Sequence, residues 1–195
     1  YSTLVIFLAF IIIPIKIAIF TKLNSYKERL FLLKDQQDKI IINDLETNLD
    51  IPKLSYFREF SAPVKWSTDL SFDEELFILE NETDLFTIYD SIKRIYRIII
   101  NNNLQKINTF NLEQKLISSL RHIFSNRNDI NPALLAELIN VPSFSDLESD
   151  IENIDPVKIY QIIDSLKSNL SKNLILELTN KLKEIEPKIN NIWPE

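Results

Sequence analysis

The chain has 195 residues, a formal net charge of −6, no cysteine and a single histidine, His122. This composition excludes disulfide bonds, cysteine nucleophiles, thiolate zinc sites and any metal site that needs two histidines. The acidic balance also argues against a general nucleic-acid-binding protein, because such proteins need clustered lysine and arginine. Glycine and methionine are absent as well, which rules out a glycine-rich phosphate loop. An average protein of this length would carry about 14 glycines, and we therefore expect the chain to be a piece of a longer polypeptide.

The N-terminal part of the chain has the apolar period of β-strands. Ile13–Phe20 alternates and is rich in isoleucine, which predicts a half-buried strand. Three further short strands are predicted at Lys27–Lys34, Lys39–Leu45 and Leu54–Phe60, with Asn24-Ser25 as one turn. Four short strands without a helical period are typical of part of an antiparallel sandwich.

Residues 4–20 form the most apolar run of the chain. With Pro14 and Lys16 inside it, the run is short for a membrane-spanning helix. It also lacks the basic flank and the clear cleavage site of a signal peptide. We expect no membrane partner, but residues 1–12 alone leave the choice between a strand and a hydrophobic anchor open.

From Ser71 onward the apolar residues recur every three or four positions, as they do on one face of a helix. Ser71 and Glu74 have the spacing of a capping box, and Asn131 followed by Pro132 is a second helix start. Helices in succession joined by short loops predict a bundle or a superhelical array, although no repeat of fixed length is visible. The predicted helices run from Ser71 to about Glu80, from Asp84 to Asn101, from Asn111 to Ser125, from Asn131 to Ile139, briefly from Ser143, and from Asp155 to about Ile185, where Pro187 is expected to end regular structure.

The two periods meet at Arg58–Trp66, where Pro63 fixes its own φ and favours an extended Ala62. We therefore predict an α+β chain made of two units. The first is a partial Ig-like β-sandwich domain at residues 1–66, and the second is the first part of an α-helical domain at residues 67–195.

This junction carries two expectations about packing. Phe60 and Val64 are predicted to lie between the two units, so that Phe60→Ala would cost about 3–5 kcal/mol if Phe60 is fully buried. Lys65 and Trp66 are interpreted as boundary residues that pack between domains rather than as a cation–π pair that binds a ligand.

The candidate chemical groups all have plainer interpretations. His122 is predicted to be a helix histidine at the edge of a core. The acidic run matches no calcium loop and is interpreted as a solvated helix face with a capping aspartate. The serines near the junction have no histidine nearby in sequence and no nucleophile elbow. We therefore predict no catalytic, substrate-binding or metal residue and no cofactor in this chain. The acidic run is Asp146, Glu148, Asp150, Glu152 and Asp155, and the serines are Ser61, Ser67 and Ser71.

Several phrases of the sequence resemble one enzyme family. Phe57–Lys65, with the sequence Phe-Arg-Glu-Phe-Ser-Ala-Pro-Val-Lys, is similar to the end of the small β domain in bacterial-type alanyl aminopeptidases, which are gluzincin zinc aminopeptidases. Ile13–Ile17 is similar to a strand that precedes this junction in the family. The resemblance spans roughly residues 13–180. Further similar phrases follow in the family's order at Phe72–Leu76, Asn81–Phe86 with Tyr89-Asp90, Asn131–Leu138, Val141–Ser143 and Ile154–Pro156.

The resemblance implies a larger parent enzyme in which zinc is held by an HExxH motif and a downstream glutamate, and in which a GAMEN-type phrase binds the free amino terminus of a peptide. Neither motif occurs in this chain. The resemblance therefore implies a non-catalytic portion that supports the catalytic domain and walls the peptide chamber. It further implies a cytoplasmic location and, as partners, the rest of the aminopeptidase and its peptides, without nucleic acid.

Two other hypotheses follow from the residues. The chain could be a stand-alone helical interaction module with a hydrophobic N-terminal anchor. It could also be a remnant of a gene that no longer functions. Membrane fractionation separates the first of these from the aminopeptidase hypothesis, because a true anchor at residues 4–20 would place the chain in the pellet.

Overall fold

The computed structural model describes residues 4–6, 13–20, 26–33, 52–61, 66–148 and 155–190. Within these ranges the strands come first along the chain and the long helices follow, which confirms the predicted α+β class. The strands are β1 (Leu4–Ile6), β2 (Ile13–Phe20), β3 (Tyr26–Leu33), β4 (Lys53–Ser55) and β5 (Trp66–Thr68). The helices are α1 (Phe72–Asn81), α2 (Leu85–Leu104), α3 (Phe110–Asn126), α4 (Pro132–Leu138), α5 (Phe144–Leu147) and α6 (Pro156–Asn190).

The chain forms two compact units, Tyr1–Ser91 and Ile92–Glu195. The first contains the strands, α1 and the start of α2, and the second contains the rest of α2 and the later helices. The domain limits 1–66 and 67–195 stay a prediction, because a compact unit and a domain need not have the same ends.

Strand β2 is the centre of the larger sheet in the first unit. It pairs antiparallel with β3 along its whole length, from Ile13 opposite Leu33 to Phe20 opposite Tyr26. On its other edge it pairs antiparallel with β4. The predicted strands at β2 and β3 are therefore confirmed. The buried side chains of β2 are Ile15, Ile17, Ala18, Ile19 and Phe20.

Strand β1 pairs antiparallel with β5 in a separate two-stranded sheet, with Leu4 opposite Thr68. Of the two interpretations left open for residues 1–12, the strand therefore holds for Leu4–Ile6. Among the helices in the described part of the chain, none is long and apolar enough to cross a bilayer. The predicted strand Lys39–Leu45, the turn Asn24-Ser25 and the junction residues 62–65 lie outside the described residues.

The predicted strand Leu54–Phe60 is wrong beyond Ser55. Phe57 and Glu59 adopt left-handed backbone conformations, with φ 58° and 56°, and Phe60 has φ 51°. The physical reason is tertiary contact. The Glu59 amide donates to Asp84 Oδ1, and Arg58 pairs with Glu28 and Glu82, so the chain turns to bring these groups to partners that are distant in sequence.

Helix α1 starts at the predicted capping box. The Ser71 Oγ accepts a hydrogen bond from the Glu74 backbone N–H (3.3 Å), and the Glu74 carboxylate accepts one from the Ser71 backbone N–H (2.9 Å). The second bond lowers the pKa of Glu74 below its usual value. Two of the amides that a helix start leaves without a partner are thereby satisfied.

We expect Ser71→Ala to lower the free energy of unfolding by about 1 kcal/mol, because it removes the acceptor for the Glu74 amide. Since the folded-state pKa of Glu74 is depressed, the stability from its carboxylate is present above the unfolded pKa and is lost as the pH falls through the folded pKa. Urea titrations at neutral and acid pH measure both effects. Ser67→Ala, at an exposed position of β5, is the control and should change little; an equal loss in both variants would contradict the cap.

Helices α3 and α6 pack side by side in the second unit. The Glu113 carboxylate accepts a bond from Asn169 Nδ2 (2.6 Å), and further along Arg121 Nε pairs with Glu177 (2.7 Å). Because partner numbers rise together along both helices, α3 and α6 run parallel. The buried side chains of the two helices are Leu116, Ile117, Leu120, Ile123 and Phe124 on α3 and Ile159, Ile163, Leu166, Leu170 and Leu174 on α6.

Helix α6 does not end where the sequence predicts. It continues through Pro187 and ends at Asn190, so the expected end near Ile185 is wrong. A proline removes only its own amide from the backbone ladder. In the last turn that loss does not prevent the neighbouring residues from staying helical.

Helix α2 ends without glycine, the residue that usually provides the left-handed turn after a helix. Lys106 takes this conformation, with φ 61°. Its amide donates to the Asn103 carbonyl (3.0 Å), and the Ile107 amide donates to the Asn102 carbonyl (2.9 Å). Together these bonds form a Schellman motif built on a lysine.

We expect Lys106→Gly to raise the free energy of unfolding by up to about 1 kcal/mol, because glycine adopts positive φ without the clash that Cβ causes. Lys172→Gly, in the interior of α6, is the matched control and should lower it by about 1 kcal/mol. Thermal unfolding of the two variants beside the parent chain measures both. A loss of stability in Lys106→Gly would show that the lysine side chain matters more than its backbone conformation.

Candidate functional site

A cluster of charged side chains joins the larger sheet to the α1–α2 connection within the first unit. We call it the Arg58 cluster: Lys16 on β2, Glu28 on β3, Ser55 at the end of β4, Arg58 in the turn after β4, and Glu82 immediately after α1. Only 5% of Arg58 is exposed and Glu82 is fully buried. Charges at this depth must be paired, because an isolated one would lose its hydration without compensation.

Arg58 is paired on both sides. Its Nη2 lies 3.1 Å from Glu82 Oε1 and donates to Thr83 Oγ1 at 2.9 Å. Its Nη1 forms an ion pair with Glu28. Glu28 also pairs with Lys16, so the charges alternate in sign from β2 through β3 to the turn. Such a network has a high cost of dehydration and depends on every member being paired.

The Glu82 carboxylate has several donors besides Arg58. Oε1 accepts the backbone amides of Thr83 (2.7 Å) and Asp84 (3.0 Å), and Oε2 accepts the hydroxyl of Ser55. One carboxylate therefore fixes the backbone between α1 and α2 and attaches it to β4. It also receives the guanidinium of Arg58.

The backbone beside Arg58 is held in a strained form by further polar contacts. The Glu59 amide donates to Asp84 Oδ1 (2.7 Å), and the Lys16 amide donates to Ser61 Oγ (3.1 Å). Lys16 Nζ also lies 2.6 Å from Glu59 Oε1. Each left-handed non-glycine residue costs on the order of 1–3 kcal/mol, so these contacts offset the strain at Phe57, Glu59 and Phe60.

Asp84 connects this strained turn to helix α2. Its Oδ1 accepts the Glu59 amide, while Oδ2 accepts the Thr87 amide (2.9 Å) and the Thr87 hydroxyl (3.1 Å) in the first turn of α2. The helix start predicted at Asp84 is thus confirmed. The same carboxylate serves the turn and the helix start.

The Arg58 cluster is suited to holding structure rather than to chemistry. Its carboxylates are engaged by cations and amides, and its one hydroxyl donates to Glu82. In the described ranges no group of three or more histidine, aspartate and glutamate side chains could hold a metal ion. The cluster therefore acts as a clamp between the sheet and the helix pair α1–α2.

The structure places the candidate residues from the sequence apart from this clamp or in local structural roles. The His122 side chain is exposed on α3, with Nδ1 3.1 Å from Asn126 Nδ2. Asp146 caps α5, where the hydroxyl and amide of Ser143 lower its pKa. Asp155 accepts the Val157 amide (3.0 Å) at the start of α6. Glu148 is exposed, and Asp150 and Glu152 lie outside the described residues.

The serines near the junction also have structural positions. Ser61 accepts the Lys16 amide, Ser71 caps α1, and Ser67 is exposed on β5. Trp66 begins β5, whereas Lys65 lies outside the described residues. That the chain has no catalytic, substrate-binding or metal residue stays a prediction.

Phe60 does not have the burial on which its predicted role depended. It is 54% exposed and makes an edge-to-face contact with Phe86 at a centroid distance of 4.9 Å. The buried side chains of this turn are those of Phe57 and Arg58 instead. The condition for a loss of about 3–5 kcal/mol is therefore not met.

We now expect Phe60→Ala to cost about 1 kcal/mol, the usual value of one aromatic pair. Phe86→Ala should cost a similar amount from the same pair, and the double variant should cost less than the sum of the two. A chemical-denaturation cycle of the four proteins measures this coupling. Additive losses would mean that the two rings do not stabilise each other.

Sequence reasoning missed Arg58 and Glu82 as partners. They are 24 positions apart, and neither has a local pattern that marks it as buried. The available signal was that Arg58 and Glu82 each lie in one of the family-like phrases, Phe57–Lys65 and Asn81–Phe86.

Comparisons with known proteins agree with this architecture. Residues 73–191 match the family described as "Domain of unknown function (DUF3458_C) ARM repeats". The chain is 27% identical over 123 residues to Aminopeptidase N of Escherichia coli strain K12, covering 62% of this chain and 14% of that protein. It is 28% identical over 123 residues to Aminopeptidase N of Caulobacter vibrioides, with 63% and 14% covered.

A solved structure extends the likeness to the strands. The crystal structure of Legionella pneumophila aminopeptidase A in complex with aspartic acid superposes with a TM-score of 0.77 at 22% identity. The match covers 90% of this chain and 20% of the Legionella chain. At this identity the likeness establishes the fold, and the matched segment is a small part of each relative.

Proposed function

The chain belongs to the DUF3458_C family of ARM-repeat domains, and on that premise we propose that it is the non-catalytic portion of a zinc-dependent aminopeptidase that removes N-terminal residues from peptides. The observation that carries the proposal is the similarity over 123 residues to proteins named Aminopeptidase N in two bacteria. The fold shared with a solved aminopeptidase over 90% of the chain supports it.

In this proposal the chain supports the catalytic domain and walls the chamber that admits peptides. Its partners are the rest of the same polypeptide and, in the whole enzyme, peptide substrates. The proposed location is the cytoplasm, as the family resemblance implies. The Arg58 cluster supports this role, because a clamp between the sheet and helices α1 and α2 holds the start of a helical array in a fixed position.

The zinc of such an enzyme does not fit this chain. A site of two histidines and a glutamate cannot be built from a sequence with one histidine and no cysteine. Among the described residues, acidic side chains cap helices or form ion pairs, and no three of them lie close enough together to hold a metal ion. We therefore assign zinc binding and the chemical step to the remainder of the proposed enzyme.

The test compares the 195-residue chain with the polypeptide encoded by the complete reading frame that contains it. Alanyl-β-naphthylamide hydrolysis should be absent from the chain alone with added zinc, and present in the complete polypeptide. A chelator should abolish the activity of the complete polypeptide, and zinc should restore it.

A matched variant tests whether this chain takes part in the chemistry. His122→Ala should leave the activity of the complete polypeptide unchanged, because the imidazole is exposed and bonded only locally in the second unit. Zinc-dependent turnover by the chain alone would overturn the non-catalytic assignment. A complete polypeptide without aminopeptidase activity would overturn the proposed enzyme.

A further inference from the structure

The second half of α6 exposes an apolar stripe that we call the α6 seam: Ile175, Leu178, Leu182 and Ile185. The intervals of three, four and three residues are those of the a and d positions of a coiled coil. Ile175 is 62% and Leu182 63% exposed, and the other two are half-buried. Regular spacing of this kind along one helix face differs from apolar residues scattered singly on a surface.

The seam lies beside the helix face that is covered further upstream, since Ile175 directly follows the buried Leu174 and neighbouring residues are about 100° apart around a helix. From Ile159 to Leu174 the apolar residues of α6 that face α3 are buried. From Ile175 to Glu186 no side chain of α6 is buried. Helix α3 ends at Asn126, and Lys181 reaches only Asn128 beyond it.

We propose that the α6 seam packs against an amphipathic helix that belongs to the same polypeptide and lies outside residues 1–195. This rests on the proposed function, because it requires the chain to be a portion of a longer enzyme. The segment matched to the ARM-repeat family, residues 73–191, includes the whole seam. In such arrays each layer buries an apolar face against the next layer, and terminal layers need a polar outer face. The α6 seam is apolar, so α6 has the surface of an internal layer.

A helix of the same polypeptide fits the seam better than a second copy of the chain. The 123 residues that match the Escherichia coli relative cover only 14% of that protein. A longer polypeptide of this kind has ample chain for further layers. A helix tethered nearby also has a high effective concentration, so it needs little intrinsic affinity. Lys172, Thr179 and Glu186 are exposed along one border of the seam. We therefore expect a partner with apolar residues at intervals of three and four and with polar or charged residues facing this border.

The absence of cysteine from the chain allows a direct test by thiol labelling. Leu182→Cys is introduced into the 195-residue chain and into the polypeptide of the complete reading frame. Mass spectrometry then follows how fast maleimide labels the peptide that carries the new thiol. We expect labelling at least about 100-fold slower in the complete polypeptide, because the thiol in the seam reacts only when the helices separate. Gln114→Cys, at an exposed polar position of α3, should label at the same rate in both.

Three results would overturn the proposal. The first is an equal labelling rate of the L182C thiol in both polypeptides. The second is protection of this thiol in the shorter chain that grows with concentration and accompanies a dimer mass in light scattering, since the occupant is then a second copy. The third is a complete reading frame that adds no further helix. Aminopeptidase activity is measured on the same samples. Protection of the thiol without activity would refute the proposed enzyme function but not the packing of a helix on the seam. Activity without protection would refute only the packing on the seam.

Discussion

Replacing Glu82 with alanine is expected to lower the free energy of unfolding of the first unit by about 3–5 kcal/mol, the typical cost of removing one partner of a buried ion pair, because the other charge stays dehydrated. The Glu82 side chain is fully buried, and its loss leaves the guanidinium of Arg58 without its 3.1 Å partner. The amides of Thr83 and Asp84 and the hydroxyl of Ser55 lose their acceptor as well.

Three variants separate the sources of this loss in urea titrations followed by circular dichroism. Glu82→Gln keeps an acceptor for the amides and removes the charge, so it should lie between the parent and the alanine variant. Glu148→Ala, at an exposed carboxylate, should change the free energy by less than about 0.5 kcal/mol. Arg58→Met combined with Glu82→Ala should cost less than the sum of the single changes. If Glu82→Ala cost less than about 1 kcal/mol, the centre of the range for ordinary substitutions, the clamp would be a minor contributor to this fold.

The Arg58–Glu82 pair joins two separate phrases of the sequence that carry the family resemblance. Phe57–Lys65 supplies the guanidinium and the left-handed turn, and Asn81–Phe86 supplies the carboxylate and the α2 cap. Three residues of the first phrase each contact a residue of the second: Arg58 contacts Glu82, Glu59 contacts Asp84, and Phe60 contacts Phe86.

Helix starts could be predicted because their causes lie within four residues. Ser71 with Glu74, Asn131 with Leu134, and Ser143 with Asp146 each form the expected local hydrogen bond. Hydrophobic period likewise predicted the strand β2, although its side chains are buried on both faces from Ile17 to Phe20 and not on one face as expected. Such signals are independent of the rest of the fold.

The turn after β4 could not be predicted, because its cause is distant in sequence. Phe57, Glu59 and Phe60 are not residues that favour positive φ. Their conformation is held by Lys16, Glu82 and Asp84 through contacts that only the folded chain creates. The extended interpretation of Leu54–Phe60 followed local pattern and failed where tertiary contacts decide.

The repeat character of the helices could not be predicted from the sequence either, because it also depends on packing between distant segments. The family description names ARM repeats, whereas the sequence shows no period of fixed length. The helices of the described part differ widely in length, from four residues in α5 to 35 in α6. Layers of unequal helices can stack through apolar faces without a constant sequence spacing, so the architecture follows from burial and not from a repeated motif.

Replacing Tyr96 with phenylalanine is expected to cost about 1–3 kcal/mol at neutral pH, because loss of the phenol removes a donor that water cannot easily replace in the core. Tyr96 is fully buried in the second unit, and its hydroxyl donates to the Leu138 carbonyl at 2.7 Å. Leu138 is the last residue of α4, where carbonyls lack partners within the helix.

The same variant should remove a specific dependence of stability on pH. Burial raises the pKa of Tyr96 far above its usual value near 10. Above about pH 10 the unfolded chain loses this proton while the folded chain keeps it, so the free energy of unfolding falls by about 1.4 kcal/mol per pH unit from this group. Below that pH the group contributes no slope. Subtracting the stability of Tyr96→Phe from that of the parent chain cancels lysine titration, and the difference should be constant up to about pH 10 and shrink above it. Tyr160→Phe, at an exposed position of α6, is the control for loss of a phenol that does not lie in the core. A difference between the parent chain and Tyr96→Phe that stayed constant to about pH 11.5, well past the unfolded pKa, would show that the buried phenol is not held in its neutral form.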